Sequence, residues 1–249
     1  FFWYNFIVAE VKFRGILGDD DMEIIKAILF GIVEGITEWL PISSTGHMIL
    51  LNEFINLNVS KDFYSLFEVV IQLGAIMAVV VMYFKTIWPF GFGKTKKETK
   101  ETFNLWGKIL VACVPAAIIG ILLDDWLDAH LYNSIVVSLM LIIYGIIFIV
   151  VESKNMGKGK TENLNDITYK QALGIGVFQL LSLIPGTSRS GATIIGGLIL
   201  GLKRSVAAQF TFFLAIPVMF GASLLKLLKY IMKAVSYTHL RAHETRHDL

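Results

Sequence analysis

Residues 31–48 read GIVEGITEWLPISSTGHM, a polar stretch set in strongly apolar sequence. On a helix Glu34 and Glu38, four positions apart, share one face. Gly31 and Gly35 leave a strip of small residues for close packing against another helix. Pro41 has no N–H to donate and ends the helix that begins near Met22. Ser43, Ser44 and Thr45 then offer hydroxyls that cap a second helix running through His47 to about Asn52. Each of the two pieces is too short to cross a bilayer. Two half-length helices around a polar break predict a re-entrant hairpin, because irregular backbone at membrane depth is tolerated only where it lines a cavity.

The surrounding composition supports a membrane setting. The 249 residues are 55% hydrophobic and only 17% charged, against roughly 25% charged in soluble domains. Uncharged runs of 21, 21 and 18 residues occupy 131–151, 205–225 and 171–188. A helix of about 20 apolar residues crosses a bilayer core. Spans are expected at about 66–84, 107–123, 133–151 and 210–228. No short alternating strands argue for a β-barrel. The net charge of +2 implies no nucleic-acid partner. Cys113 stands alone, so it forms no internal disulfide and reads as a small core residue.

A second polar break, LIPGTSRSGAT at 183–193, follows about 145 residues after the first. Its helix starts near Thr168, stops at Pro185-Gly186 and resumes to about Leu202. The pairing of hairpin and spans reads as an internal repeat, and 215–225 (AIPVMFGASLL) echoes 113–123 (CVPAAIIGILL). Lysines crowd 85–108 and 152–170, whereas 124–130 holds Asp124, Asp125 and Asp128 with no Lys or Arg. The positive-inside rule puts the two lysine-rich loops in the cytoplasm. The first hairpin then enters from the outer face. Three spans separate it from the second, which enters from the cytoplasm, and the broken tips meet near the midplane as in inverted-repeat membrane proteins. By that symmetry the last two spans are missing. Residues 1–21 read as an N-terminal extension foreign to the fold, 22–235 as the membrane domain and 236–249 as a foreign polar tail.

A carboxylate at membrane depth costs on the order of 2.5–3.5 kcal/mol on insertion scales, so Glu34 and Glu38 are functional candidates. They can hold a divalent cation, or one can serve as a base. Arg189 lies among hydroxyls and glycines, and its guanidinium forks onto phosphate oxygens. The plainer reading of Arg189 is a partner that neutralises Glu34 or Glu38. His47 is a candidate acid or base. Ser44 or Thr45 is a candidate nucleophile, with capping the plainer role for both. Gln72 reads as a helix-to-helix hydrogen bond. The tail's His243-Glu244-Thr245-Arg246-His247 has zinc-motif spacing, but only two residues follow it and no third ligand is in view.

The motifs at 31–48 and 184–197, with FEVVIQLGAI at 67–76 and the AIP at 215–217, resemble the undecaprenyl-pyrophosphate phosphatase family, also called the bacitracin-resistance family. The resemblance covers about 22–233. It implies an enzyme of the bacterial inner membrane that removes the terminal phosphate of undecaprenyl pyrophosphate; the all-α polytopic fold and the outer-entering first hairpin read above put the active site toward the outer face. It implies a prenyl pyrophosphate substrate, membrane lipid around the protein and a divalent cation, Mg or Ca; a homodimer is the protein partner it leaves open. The family's carboxylate motif falls on Glu34 and Glu38, its hydroxyl–histidine turn on Ser43, Ser44, Thr45 and His47, and its arginine motif on Ser188, Arg189, Ser190 and Thr193. The resulting expectation is that Arg189, Ser188, Ser190 and Thr193 bind phosphate. Glu34 and Glu38 hold metal or manage protons, and Ser44 attacks or His47 activates the attacker. A lipid-phosphate transporter is the first rival, since midplane sites in inverted repeats suit carriers. A soluble acid phosphatase is a weaker one.

Overall fold

In the computed structural model, which describes residues 19–91, 93–131, 133–154 and 157–244, helix α1 covers Asp19–Thr37 and α2 covers Ser44–Phe54. Most of the 1–21 extension and the end of the zinc-like motif in the tail lie outside those residues. Helix α1 stops at Thr37 rather than near Leu40. Pro41 accounts for the early stop: its ring clashes with the carbonyl four residues back, and it disfavours helical backbone at the residue before it. Ser43 then takes φ 65°, the left-handed region that non-glycine residues seldom enter.

Helix α3 covers Lys61–Met82, α4 Lys96–Leu131 and α5 Ser134–Ser153. A one-turn helix at Phe84–Ile87 precedes α4. The second broken unit is α6, Tyr169–Gln179, a 3-10 turn over Leu180–Leu183, and α7, Arg189–Ile199. Helix α8 runs Arg204–Glu244. Thr168 and Gln171 form a reciprocal capping box that starts α6. Pro115 lies within α4 and Pro217 within α8, at the echoing CVP and AIP positions.

Four helices among the described residues are long and apolar enough to cross a membrane: Lys61–Met82, Lys96–Leu123, Ser134–Ser153 and Arg204–Met232. They correspond to the four expected spans, with α4 starting earlier, at Lys96 inside the lysine-rich segment. Only 17%, 22%, 17% and 39% of their apolar windows are buried in the protein. Ile135, Leu139, Ile142, Ile146 and Ile149 on α5 are all exposed. In water so broad an apolar surface would drive aggregation; against acyl chains it is the surface that fits.

The main core joins α3, α4, α6, α7 and α8 through Ile76, Ile109, Ala112, Ile175, Ile195, Phe210 and Phe213. A smaller core of Phe30, Met48 and Leu57 holds α1 and α2 against α3. Helix α6 lies close on α4: a Cβ at Gly176 would stand 2.3 Å from the Ala112 carbonyl oxygen, so only glycine permits that approach. Both breaks rest on the same stretch of α5. A Cβ at Gly46 would come within 3.4 Å of Val137 Cγ1, and one at Gly186 (φ 90°) within 2.6 Å of the Val137 carbonyl oxygen.

Candidate active site

The first break builds its own scaffold. Ser43 caps α2 by accepting from the Gly46 N–H at 3.2 Å. Its strained backbone also turns its carbonyl onto His47 Nδ1 at 2.8 Å. A carbonyl only accepts, so Nδ1 carries a proton, and Nε2 is the ring nitrogen left outside that bond. Ser44 and His47 are three residues apart on α2, hence on neighbouring positions of one face. Ser44 Oγ donates to Glu38 Oε2 at 2.6 Å. Thr45 Oγ1 accepts from Gln72 Nε2 at 3.2 Å.

The second break reaches across to the first. Ser188 caps α7 by accepting from the Gly191 N–H at 3.0 Å. Arg189, the first residue of α7, donates from Nη2 to Glu38 Oε1 at 2.5 Å. Ser188 and Ser190 hydroxyls stand 3.1 Å apart, and Ser190 Oγ donates to the Leu40 carbonyl at 3.4 Å. Trp39, beside Glu38, meets Phe212 of α8 edge-on at 5.5 Å. Two segments 151 residues apart in sequence thus share one carboxylate.

Ser44, Glu38 and Arg189 therefore form a continuous chain, with Ser43, Thr45, His47, Ser188 and Ser190 on the same two turns. Thr193 is placed differently. Its hydroxyl donates to the Arg189 carbonyl at 2.9 Å and accepts from Thr211 at 2.9 Å. It is 1% exposed and ties α7 to α8. Glu34, one turn before Glu38, is fully buried, and neither carboxylate oxygen has a hydrogen bond of normal length. It lies within electrostatic reach of Glu38 and Glu68.

The unfilled charged groups Glu34 and Arg189 differ in sign. Glu34 leaves two acceptors open on the first unit. Arg189 leaves Nε and Nη1 open on the second, and the Thr187 hydroxyl is also buried without a partner there. The first set suits a cation and the second an anion. The plainer expectation for Arg189, neutralising a glutamate, holds for one of its three nitrogens only.

Glu68 escaped the motif reading. It sits at the head of the apolar run that becomes α3, and it is 6% exposed. The signal was present as a carboxylate inside FEVVIQL, spaced four residues from Tyr64 and from Gln72.

The family profile "Bacitracin resistance protein BacA" matches residues 27–245. The chain belongs to the bacitracin resistance protein family. Relatives named undecaprenyl-diphosphatase are similar over most of the chain. One from Enterococcus faecalis is 60% identical over 213 residues, covering 85% of this chain and 77% of the relative. One from Desulfitobacterium hafniense is 62% identical over 211 residues, 84% of this chain and 76% of the relative. One from Streptococcus thermophilus is 58% identical over 218 residues, 87% and 76%. Both polar breaks lie within the matched residues, folded here into hydrogen-bonding contact.

Proposed function

We propose that this membrane protein hydrolyses undecaprenyl pyrophosphate to undecaprenyl phosphate and inorganic phosphate, returning the carrier lipid to cell-wall synthesis and thereby conferring bacitracin resistance. The observation that carries the chemistry is the Ser44–Glu38–Arg189 chain, which sets a hydroxyl on a carboxylate and leaves two guanidinium nitrogens open.

Arg189 Nε and Nη1 form the planar fork that takes two oxygens of the terminal phosphate. The Ser188 and Ser190 hydroxyls lie beside it and donate to phosphate by exchanging their contacts with each other and with the Leu40 carbonyl. Glu38 Oε2 takes the proton from Ser44 Oγ, and Oγ attacks the terminal phosphorus. The bond from that phosphorus to the bridging oxygen breaks, and undecaprenyl phosphate leaves with the electron pair. In the second half His47 Nε2 takes a proton from water, and the hydroxide attacks the phosphoserine. The Ser44 oxygen leaves and recovers its proton from Glu38. Positioning and charge stabilisation carry most of the acceleration in such transfers.

Glu34 fits a divalent cation, because both its oxygens are buried and unfilled, whereas Glu38 is already engaged on both sides. Among the described residues no three His, Cys, Asp or Glu side chains cluster as a complete metal cage. Magnesium accepts such a site, taking one or two carboxylates and completing its shell with waters and substrate phosphates. When bound, the cation supplies positive charge to the pyrophosphate.

We read the two breaks as re-entrant hairpins of inverted repeats, with the first open to the outer face. Their shared seat on Val137 and the lysine-rich loops support that reading. The broad apolar faces of α3 and α5 contact lipid and leave area for a second copy of the chain.

Phosphate release from a prenyl pyrophosphate by the purified protein in lipid vesicles tests the function. Arg189→Ala and Glu38→Gln are each expected to lower the rate at least about a hundredfold, the scale of a lost acid–base or charge-stabilising group. Near-normal rates in either, or binding and movement of the lipid without phosphate release, would overturn the assignment.

A further inference from the structure

One wall of the site comes from a helix that carries no part of either polar break. Tyr64, Glu68 and Gln72 recur at four-residue intervals on α3, which places them on one face of that helix. All three turn to the first broken unit. The Tyr64 hydroxyl donates to the Met48 carbonyl at 3.4 Å, and Glu68 lies within electrostatic reach of Glu34. Gln72 Nε2 donates to Thr45 Oγ1 at 3.2 Å. Thr45 is the residue after Ser44, in the first turn of α2.

We propose that Gln72 is a positioning residue, which fixes the Thr45 hydroxyl as a hydrogen-bond donor to the substrate's phosphate. A threonine hydroxyl has one hydrogen to give and two lone pairs to accept with. The Gln72 amide occupies a lone pair, so the Thr45 hydrogen stays free. No protein acceptor for it occurs among the described residues. A free donor in the same helical turn as Ser44, whose Glu38 partner also holds Arg189, matches an anion with several oxygens. A plain tie between helices would need the amide to meet any acceptor on α2. Here it meets a hydroxyl of the catalytic turn and dictates which way that hydroxyl can donate. The inference rests on the phosphatase reading above.

The test is a double-mutant cycle on intact protein in vesicles, with KM and kcat for a prenyl pyrophosphate and the affinity for a non-hydrolysable prenyl bisphosphonate. Thr45→Val is expected to raise KM about tenfold, the effect of one hydrogen bond to a charged group. Gln72→Met, of similar length but unable to donate, should raise KM several-fold with kcat within about twofold, and weaken the bisphosphonate in parallel. The double variant should be no worse than Thr45→Val alone, since the amide acts only through that hydroxyl. Gln72→Glu keeps the shape but accepts, so it draws the Thr45 hydrogen inward and should raise KM at least as far as Gln72→Met. It also guards against misfolding of the apolar variant, which the thermal midpoint in detergent reports. A normal KM in the Gln72 variants, or multiplying effects in the double variant, overturns the positioning role while leaving the phosphatase reading intact. Absence of phosphate release by the parent chain would remove both.

Discussion

At the scale of single residues, Glu38 is the most heavily committed side chain of the site. It holds Ser44 on one oxygen and Arg189 on the other, and in the proposed mechanism it orients the attacker and anchors the phosphate fork together. His47 has a different place: its Nδ1 is spent on the Ser43 carbonyl, and the proposed mechanism uses Nε2 on water in the second half-reaction. His47→Ala should therefore slow hydrolysis of the phosphoserine about 10²–10⁴-fold while the first step still runs. Phosphorylated protein would accumulate after mixing with substrate, and quench-flow would show it; equal loss of both steps would contradict the division of labour. Glu34→Gln keeps size and packing but removes the charge. It should fold normally and lose most of its affinity for manganese, read by electron paramagnetic resonance in the absence of substrate. Among these residues, Glu34, Glu38, Arg189 and the hydroxyls were legible because charge and hydroxyl clusters are costly in apolar sequence. The particular pairing was not, since either glutamate satisfied the spacing argument equally. Glu68 was harder to see because it is an isolated carboxylate near the start of the expected 66–84 span, with no proline break or hydroxyl cluster beside it.

At the scale of elements, two breaks are made by different means. The first depends on Pro41 and on the left-handed Ser43. The second depends on Pro185 and on Gly186, whose positive φ and contact with the Val137 carbonyl no other residue accommodates. Proline and glycine announce such breaks, so their existence and rough bounds could be read directly. The close seating of α6 on α4 could not, because Gly176 carries no polar or periodic signal. It is a packing requirement seen only when Ala112 lies opposite. Gly176→Val would drive a branched side chain into the Ala112 backbone. It should cost about 1–3 kcal/mol, typical of overpacking, and lower the thermal midpoint in detergent, whereas an unchanged midpoint would show that the two helices separate freely.

At the scale of the whole molecule, a run of hydropathy sufficed to find four spans, since length and apolarity alone decide which helices can cross. The proposed inverted arrangement of the halves rests on charge in the loops, and with it the proposed side on which substrate enters. In a Cys113→Ser background, a cysteine at the exposed Ile42 should react with a membrane-impermeant maleimide added outside cells. Reaction only from the cytoplasmic side would invert the orientation. The account stands most directly on the joined site itself, where the turn after Pro41 supplies the nucleophile and the turn after Pro185 supplies the anion grip. Its most direct test is a rapid acid quench of the protein with prenyl pyrophosphate labelled in the terminal phosphate, followed by peptide mapping. The account predicts transient label on Ser44, absent in Ser44→Ala and in Arg189→Ala. Full turnover with label on another residue, or undiminished turnover by Ser44→Ala, would contradict it.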